Sequence, residues 1–484
     1  MKGGVLFADG PVYNTIVKAL PRAALSYLIN DKTVVRGGAG LFSYPFYFDA
    51  GNQAGFSQPT GIIPSDNNGA TFGPATLSNP LPGGSLIQPV GSSLGLASSL
   101  GLTVGTIVPS ERKAPHYLRW QAGIQRDLGA GIVVEAFYVG SRGRHLPVVR
   151  ELNGIPLQYL STSRIRDLTN EAYLAAQVPN PFQGLLPGTT LNGPTIARGQ
   201  LLRLFPHFLG GAVNGSLLGS AANPGASGTV SVGTEEYVGS DTYDAGTLRI
   251  EKRFSNGNSL VASYTRSRAR DKLNYLNPSD PVLEDRISPN DRPNRVSVAA
   301  TARLPFGKGQ KWGSNWTGAA QAILGGWSLS GSYQYQTGFP LTWNTNIYYD
   351  PARDPKDLKS NIGEHVSCGI AGLDCPAWDT SGFFIPGGTG PTDARLQLGQ
   401  NVRYFPSTLP GVRTHDLHLL DVGLYKTFSL PRDIDLQVRV ESINALNYTV
   451  LWNPNQDPRN VNFGLVNQDR NNPRDIQIGA RLSF

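Results

Sequence analysis

The side chains best suited to chemistry in this 484-residue chain fall into a few small groups. Cys368 and Cys375 are its 2 cysteines, close together in a Gly- and Pro-bounded stretch. That spacing suits a disulfide-closed loop in an oxidising compartment, whereas a metal site would want more Cys or His nearby. His415 and His418 invite a metal reading. On a strand, however, an offset of three sends two side chains to opposite faces, so the pair is not expected to share an ion. The acidic stretch 280–291 offers the oxygen ligands that hard cations prefer. Its carboxylates do not follow an EF-hand spacing, and a solvated loop is expected instead. Gly307-Lys308-Gly309 lacks the spacing and helix context of a phosphate loop and reads as a turn. Gly37-Gly38-Ala39-Gly40 falls inside a strand pattern, not between a strand and a helix, so it is no dinucleotide fingerprint. These residues predict no catalytic group, no cofactor, no metal site and no enzyme.

The composition says what must position such residues. Hydrophobic residues make up 39% of the chain and charged residues 16%, against about 45–50% and about 25% in an ordinary soluble domain. The 19 Tyr, 19 Phe and 7 Trp argue against disorder. A transmembrane barrel has this profile, because its wall is apolar on one side only and its outer loops are long and polar. The mean hydropathy of −0.22 is compatible with that. No run approaches the roughly 18 apolar residues of a helical span. The net charge is +7, with arginines scattered along the chain rather than clustered, so a nucleic-acid partner is not expected.

Two-residue alternation recurs along the chain. It is clearest at the end, where Ile476, Ile478, Ala480, Leu482 and Phe484 alternate with Asp475, Gln477, Gly479, Arg481 and Ser483. Ile434, Leu436, Val438 and Val440 repeat the pattern against Asp435, Gln437, Arg439 and Glu441. Strands are expected at 22–28, 33–43, 117–128, 132–141, 243–254, 259–268, 294–304, around 319–337, and at 416–429, 433–444 and 474–484. Short turns join them in pairs, and Asn256-Gly257 is a strong turn signal. Trp327, Tyr333 and Tyr335 share one face of their strand; a lipid-facing girdle is the ordinary expectation, and sugar-stacking platforms in the lumen the sharper one. Between the pairs lie long connections such as 44–116, 146–241 and 344–414. Compact soluble domains rarely contain several structureless loops longer than about 15 residues, and outer-membrane barrels do. Composition and pattern together predict an all-β fold: an antiparallel transmembrane β-barrel with long extracellular loops and a periplasmic C-terminus.

Six segments then become informative as an ordered set: Thr33–Phe42, Tyr138–Gly143, Glu251–Gly257, Leu304–Gly309, Gly325–Gly331 and Glu441–Asn447. From about residue 20 to 484 their order and spacing resemble the barrel of the Oar-like TonB-dependent receptors common in Acidobacteria, which carry a carboxypeptidase-regulatory-like domain. The resemblance implies a parent with a signal peptide, a β-sandwich domain, a plug bearing a TonB box, and then the barrel. Residues 1–20 are expected to be a remnant, and 21–484 the C-terminal barrel portion, since 1–7 lack a sustained apolar signal core. About eleven strands is half of the 22 found in large plugged transporters, so an incomplete wall with two unpaired edges is expected. The resemblance implies uptake of an unknown large solute, with outer-membrane lipid and the barrel assembly machinery as partners, and TonB only through the plug. Cell-surface adhesion without energised import is the alternative. Ile476, Ile478, Leu482 and Phe484 resemble the C-terminal signal that the assembly machinery reads.

Overall fold

The computed structural model describes residues 13–43, most of 89–209, 232–254, 258–343, 347–360 and most of 377–484, with scattered positions between 65 and 79. Eleven strands form one antiparallel meander: β1 (Arg22–Asn30), β2 (Thr33–Ser43), β3 (His116–Gly129), β4 (Ile132–Glu151), β5 (Val232–Arg253) and β6 (Ser259–Lys272), followed by β7 (Asn294–Arg303), β8 (Trp327–Gln336), β9 (Leu417–Leu430), β10 (Ile434–Ile443) and β11 (Asp475–Ser483). Each pairs with its neighbours in sequence. The sheet does not close, and among the described residues β1 and β11 are its two edges.

The register shows why these residues make strands. Val440 pairs with Ile478 and Leu424, Leu424 with Leu329, and Leu329 with Ala302. Further along, Ile250 pairs with Ala262 and Val134, and Leu25 pairs with Gly37. One face of the sheet is therefore apolar from edge to edge, since alternate residues share a face. The same face is the exposed one, with Leu25 at 71%, Ile478 at 77% and Leu248 at 47%. An apolar patch of that extent in water would be an aggregation site, and lipid is the medium that suits it.

Three sequence expectations need correction. The segment around 319–337 is not all strand: Gly318–Leu324 is a helix and β8 begins at Trp327. Its Ala-Ala-Gln-Ala run is strongly helix-forming, and Lys426 Nζ donates to the carbonyls of Gln321 at 3.1 Å and Gly325 at 2.5 Å, capping its C-terminal end. Next, β4 and β5 run to 20 and 22 residues, well past Ser141 and Tyr243. A transmembrane strand needs only about 9–11 residues, so both project far beyond the apolar band. His145, at φ 55°, and the register shift between Glu236 and Gly239 break the alternation there, which hides the extension from a period-two reading.

The third correction concerns the long connections. Where they are described, within 152–209 and 337–416, they are packed rather than structureless. Trp343, Trp378, Phe384, Phe405, Leu409 and Val412 form a closed core with Phe463 and Val466, built from segments 337–416 and 444–474. Smaller cores around Leu174 and around Leu186 and Ile196 hold segment 152–209. Ser161 bridges to Asn401, and Arg164 Nη2 donates to the Tyr349 hydroxyl at 2.8 Å, so the connections form a joined cap. The short strand Arg286–Ile287 pairs with the far end of β6, fastening the cap to the wall.

Candidate functional site

Opposite the apolar face, the sheet presents polar side chains that bond to one another. On β4 and β5, Arg249 lies 2.8 Å from Glu251 and 3.7 Å from Glu135, and Arg253 lies 2.7 Å from Glu251. On β9 to β11, Glu441 accepts from the Tyr425 hydroxyl at 2.9 Å and from Gln477 Nε2 at 2.7 Å. Ser259 and Thr301 join β6 to β7 at 2.8 Å. A hollow of about 470 Å³ on this face is lined by Ser330, Ser332, Asp421, Tyr425, Glu441 and Gln477, among others. These strands hold rigid hydrogen-bond donors and acceptors without a nucleophile–base pair, an arrangement that suits contact with a hydrated solute rather than bond chemistry.

The cap is fastened to the end of the wall where the short strand Arg286–Ile287 pairs with β6. Arg403 sits wholly inside the cap. Its Nε donates to the Phe405 carbonyl at 2.8 Å and its Nη2 to the Trp343 carbonyl at 2.6 Å. Its backbone N–H donates to Asn277 Oδ1 at 2.8 Å, linking segment 273–293 to segment 337–416. Burial pushes the Arg403 guanidinium down to about 10, with Glu284 acting the other way. Arg150, at the outer end of β4, stacks 3.6 Å over the Tyr275 ring and donates to the carbonyls of Pro278 and Asp280, both at 2.9 Å. The sequence reading missed Arg403, Arg150 and the Trp343–Trp378 core. The density of aromatics between 343 and 405 was the available signal, because a solvated loop has no reason to carry them.

The acidic stretch is also part of this fastening. Asp291 is 2.7 Å from Arg413 and accepts from the Ala269 N–H at 2.6 Å, and Asp285 is 2.8 Å from Arg270. Asp280 accepts from the Asn277 N–H at 2.9 Å. These carboxylates are occupied by arginines and backbone donors, so the expected solvated loop is instead a set of clamps.

His415 and His418 do come together, contrary to the opposite-faces expectation. β9 starts only at Leu417, so strand alternation does not govern His415. Both rings pack on Tyr448, at 5.4 and 4.6 Å between centroids. His415 Nδ1 accepts the Leu451 N–H at 3.0 Å, which places the ring proton on Nε2, 3.1 Å from the Tyr448 hydroxyl. His418 Nδ1 is 2.9 Å from the Tyr333 hydroxyl. Burial lowers the His415 pKa and pushes that of Tyr448 up to about 12. With both nitrogens of His415 in use, the cluster is a hydrogen-bonded seam between wall and cap. Among the described residues no group of three or more His, Cys, Asp or Glu could hold a metal ion.

Tyr333 and Tyr335 pair with Leu420 and His418 on the apolar face, as does Trp327 with Lys426. That placement puts them on the face opposite the polar hollow. Gly37 to Gly40 lie within β2. Ile476, Ile478 and Leu482 all lie on β11 and, with Phe484, are exposed. Cys368 and Cys375 fall outside the described residues. No helix among the described residues is long and apolar enough to cross a membrane.

Residues 7–477 match the family described as outer membrane beta barrel domain. No curated protein sequence matches the chain. Among solved structures, the outer membrane transporter YddB from Escherichia coli is similar at 9% identity and a TM-score of 0.36, over 93% of this chain and 38% of that one. The FrpB iron transporter from Neisseria meningitidis (F5-1 variant) gives 9% and 0.38, over 95% of this chain and 39% of that one. The ferripyoverdine receptor of the outer membrane of Pseudomonas aeruginosa gives 9% and 0.35, over 95% and 32%. The chain thus spans less than two thirds of the length of each.

Proposed function

The chain belongs to the outer membrane beta barrel domain family, and from that premise we propose that it is wall and cap of a TonB-dependent receptor of the Oar-like type. One observation carries the membrane part of this reading. Across eleven strands the register gathers the apolar side chains on the exposed face and the polar ones on the other, while the connections at one end fold into a packed cap. An open sheet edge is not tolerated in lipid, because its backbone groups have no partner there. The edges β1 and β11 therefore pair with further strands, which a longer parent supplies together with a plug. The cap is extracellular in this reading and the short turns periplasmic, in line with the loop-length rule for such barrels. Ile476, Ile478, Leu482 and Phe484 form the strand that the assembly machinery reads, and the spacing of Cys368 and Cys375 suits a disulfide.

The solute is large and hydrated, a glycan, peptide or metal chelate, and crosses along the polar face. Deleting the parent gene and, separately, tonB in the producing strain tests this. Growth on a panel of glycans, peptides and chelated metals is compared between the two strains. A shared loss of growth on one nutrient supports energised import. A loss of surface attachment in the gene deletion alone, with every nutrient still used, overturns import and leaves adhesion.

A further inference from the structure

Toward the cap, the exposed face of the wall changes character. On β5 the outward series runs Ile250, Leu248, Gly246, Asp244, and on β6 it runs Ala262, Tyr264, Arg266, Arg268, Arg270. Apolar side chains thus give way to arginines along the same face within two residues. Segments 284–291 and 406–413 border this end together with Lys356, leaving a half-open hollow of about 750 Å³. Six basic and four acidic side chains line it.

The acids are already engaged. Asp244 pairs with Arg142 at 3.0 Å, Asp285 with Arg270 at 2.8 Å, and Asp291 with Arg413 at 2.7 Å. Glu284 accepts from the Ser407 N–H at 2.8 Å and from its hydroxyl at 2.6 Å. Three cations are left over. Arg266 donates to Asn294 Oδ1 at 2.8 Å, a neutral acceptor, and neither Arg268 nor Lys356 has an ion pair among the described residues. Arg266 and Arg268 are exposed and stand roughly 7 Å apart along one strand.

We propose that this hollow binds the phosphate of an outer-leaflet lipid headgroup whose acyl chains lie along the apolar face below it. The inference rests on the membrane reading of the wall. Guanidinium groups match phosphate oxygens through paired N–H donors, and a lipid is the ligand that satisfies both halves of this surface at once. A free anion would use the arginines and ignore Leu248, Ile250 and Tyr264. A basic cluster placed for nucleic acid would not continue into an apolar band.

The test uses the full chain in phosphatidylcholine nanodiscs, with bisphosphorylated lipid A as the probe and retained lipid counted by native mass spectrometry. Four proteins are compared: wild type, the double variant Arg266→Gln with Arg268→Gln, the single variant Lys356→Gln, and Arg249→Gln on the polar face. The proposal expects the double variant to hold lipid A about tenfold more weakly, Lys356→Gln to show a smaller loss, and Arg249→Gln to match wild type. Heat-modifiable migration of each variant checks that the wall has formed. Equal lipid A binding by the double variant and wild type overturns the proposal, as does displacement of lipid A by an equal concentration of inorganic phosphate. Failure of wild type to enter the nanodisc is a different result, which sinks the membrane reading beneath it.

Discussion

In the wall, Leu25 and Ile478 point away from the rest of the protein and are 71% and 77% exposed, whereas Trp343 and Trp378 in the cap are fully enclosed. The two regions share one chain and solve opposite problems. The wall turns apolar side chains outward and keeps Glu251, Arg249 and Glu441 on its other face. The cap buries its apolar side chains as a water-soluble protein does, and even its enclosed Arg403 is satisfied by carbonyls. The wall draws its stability from backbone ladders and from lipid; the cap draws its stability from a hydrophobic core. Damage to one should leave the other standing, and that separability can be measured.

The largest effect is expected from Trp343→Ala, which empties the centre of the cap core and costs about 3–5 kcal/mol. Limited proteolysis should then cut between 337 and 416 while the wall still migrates as a heat-modifiable species. Loss of both together would show that the two regions are not separable. Next comes Ile250→Arg, which places a charge on the outward face at a cost of about 2–4 kcal/mol if that face meets the bilayer midplane. Membrane insertion in refolding assays should drop, with Arg249→Gln next door close to wild type; equal insertion of the two would blur the distinction between faces.

Arg403→Met should cost about 1–3 kcal/mol, because the Trp343 and Phe405 carbonyls lose their donor. Urea unfolding followed by tryptophan emission reads this, and an unchanged midpoint would mean that the buried guanidinium stabilises nothing. The smallest effect concerns His415. Burial holds its pKa below the ordinary 6.5, so the unfolded chain binds the proton more readily than the folded cap. The contribution is present above about pH 6.5 and is lost as pH falls toward the folded pKa. Cap melting should therefore fall in temperature from about pH 7.5 to about pH 5 in wild type, with a flatter profile in His415→Gln. Parallel profiles would remove His415 from the account.

The wall was legible because lipid on one side and polar contacts on the other impose a period of two on every crossing strand. All eleven strands follow from segments such as Ile434–Val440 and Ile476–Phe484 read one at a time. The pattern fades where that asymmetry ends, beyond Ser141 and before Tyr243, so the outer halves of β4 and β5 were lost to it. A helix of 7 residues between two strands is too short to show its own period beside them. The cap was illegible for another reason. Its ties join residues far apart in sequence, 185 for Arg164 with Tyr349 and 230 for Asn170 with Gln400, and no local pattern encodes them. The His415–Tyr448 seam was misread because strand alternation was applied to His415, which lies before β9 begins at Leu417.

Fluorescence quenching at neighbouring positions tests the central claim most directly. Ile250→Cys and Glu251→Cys, each in a Cys368→Ser and Cys375→Ser background, carry a small fluorophore in reconstituted vesicles. If the exposed face of the sheet is the lipid face, brominated acyl chains quench the label at 250 and leave that at 251, while aqueous iodide does the reverse. Equal quenching of the two positions by brominated lipid, or quenching of 251 alone, would contradict it.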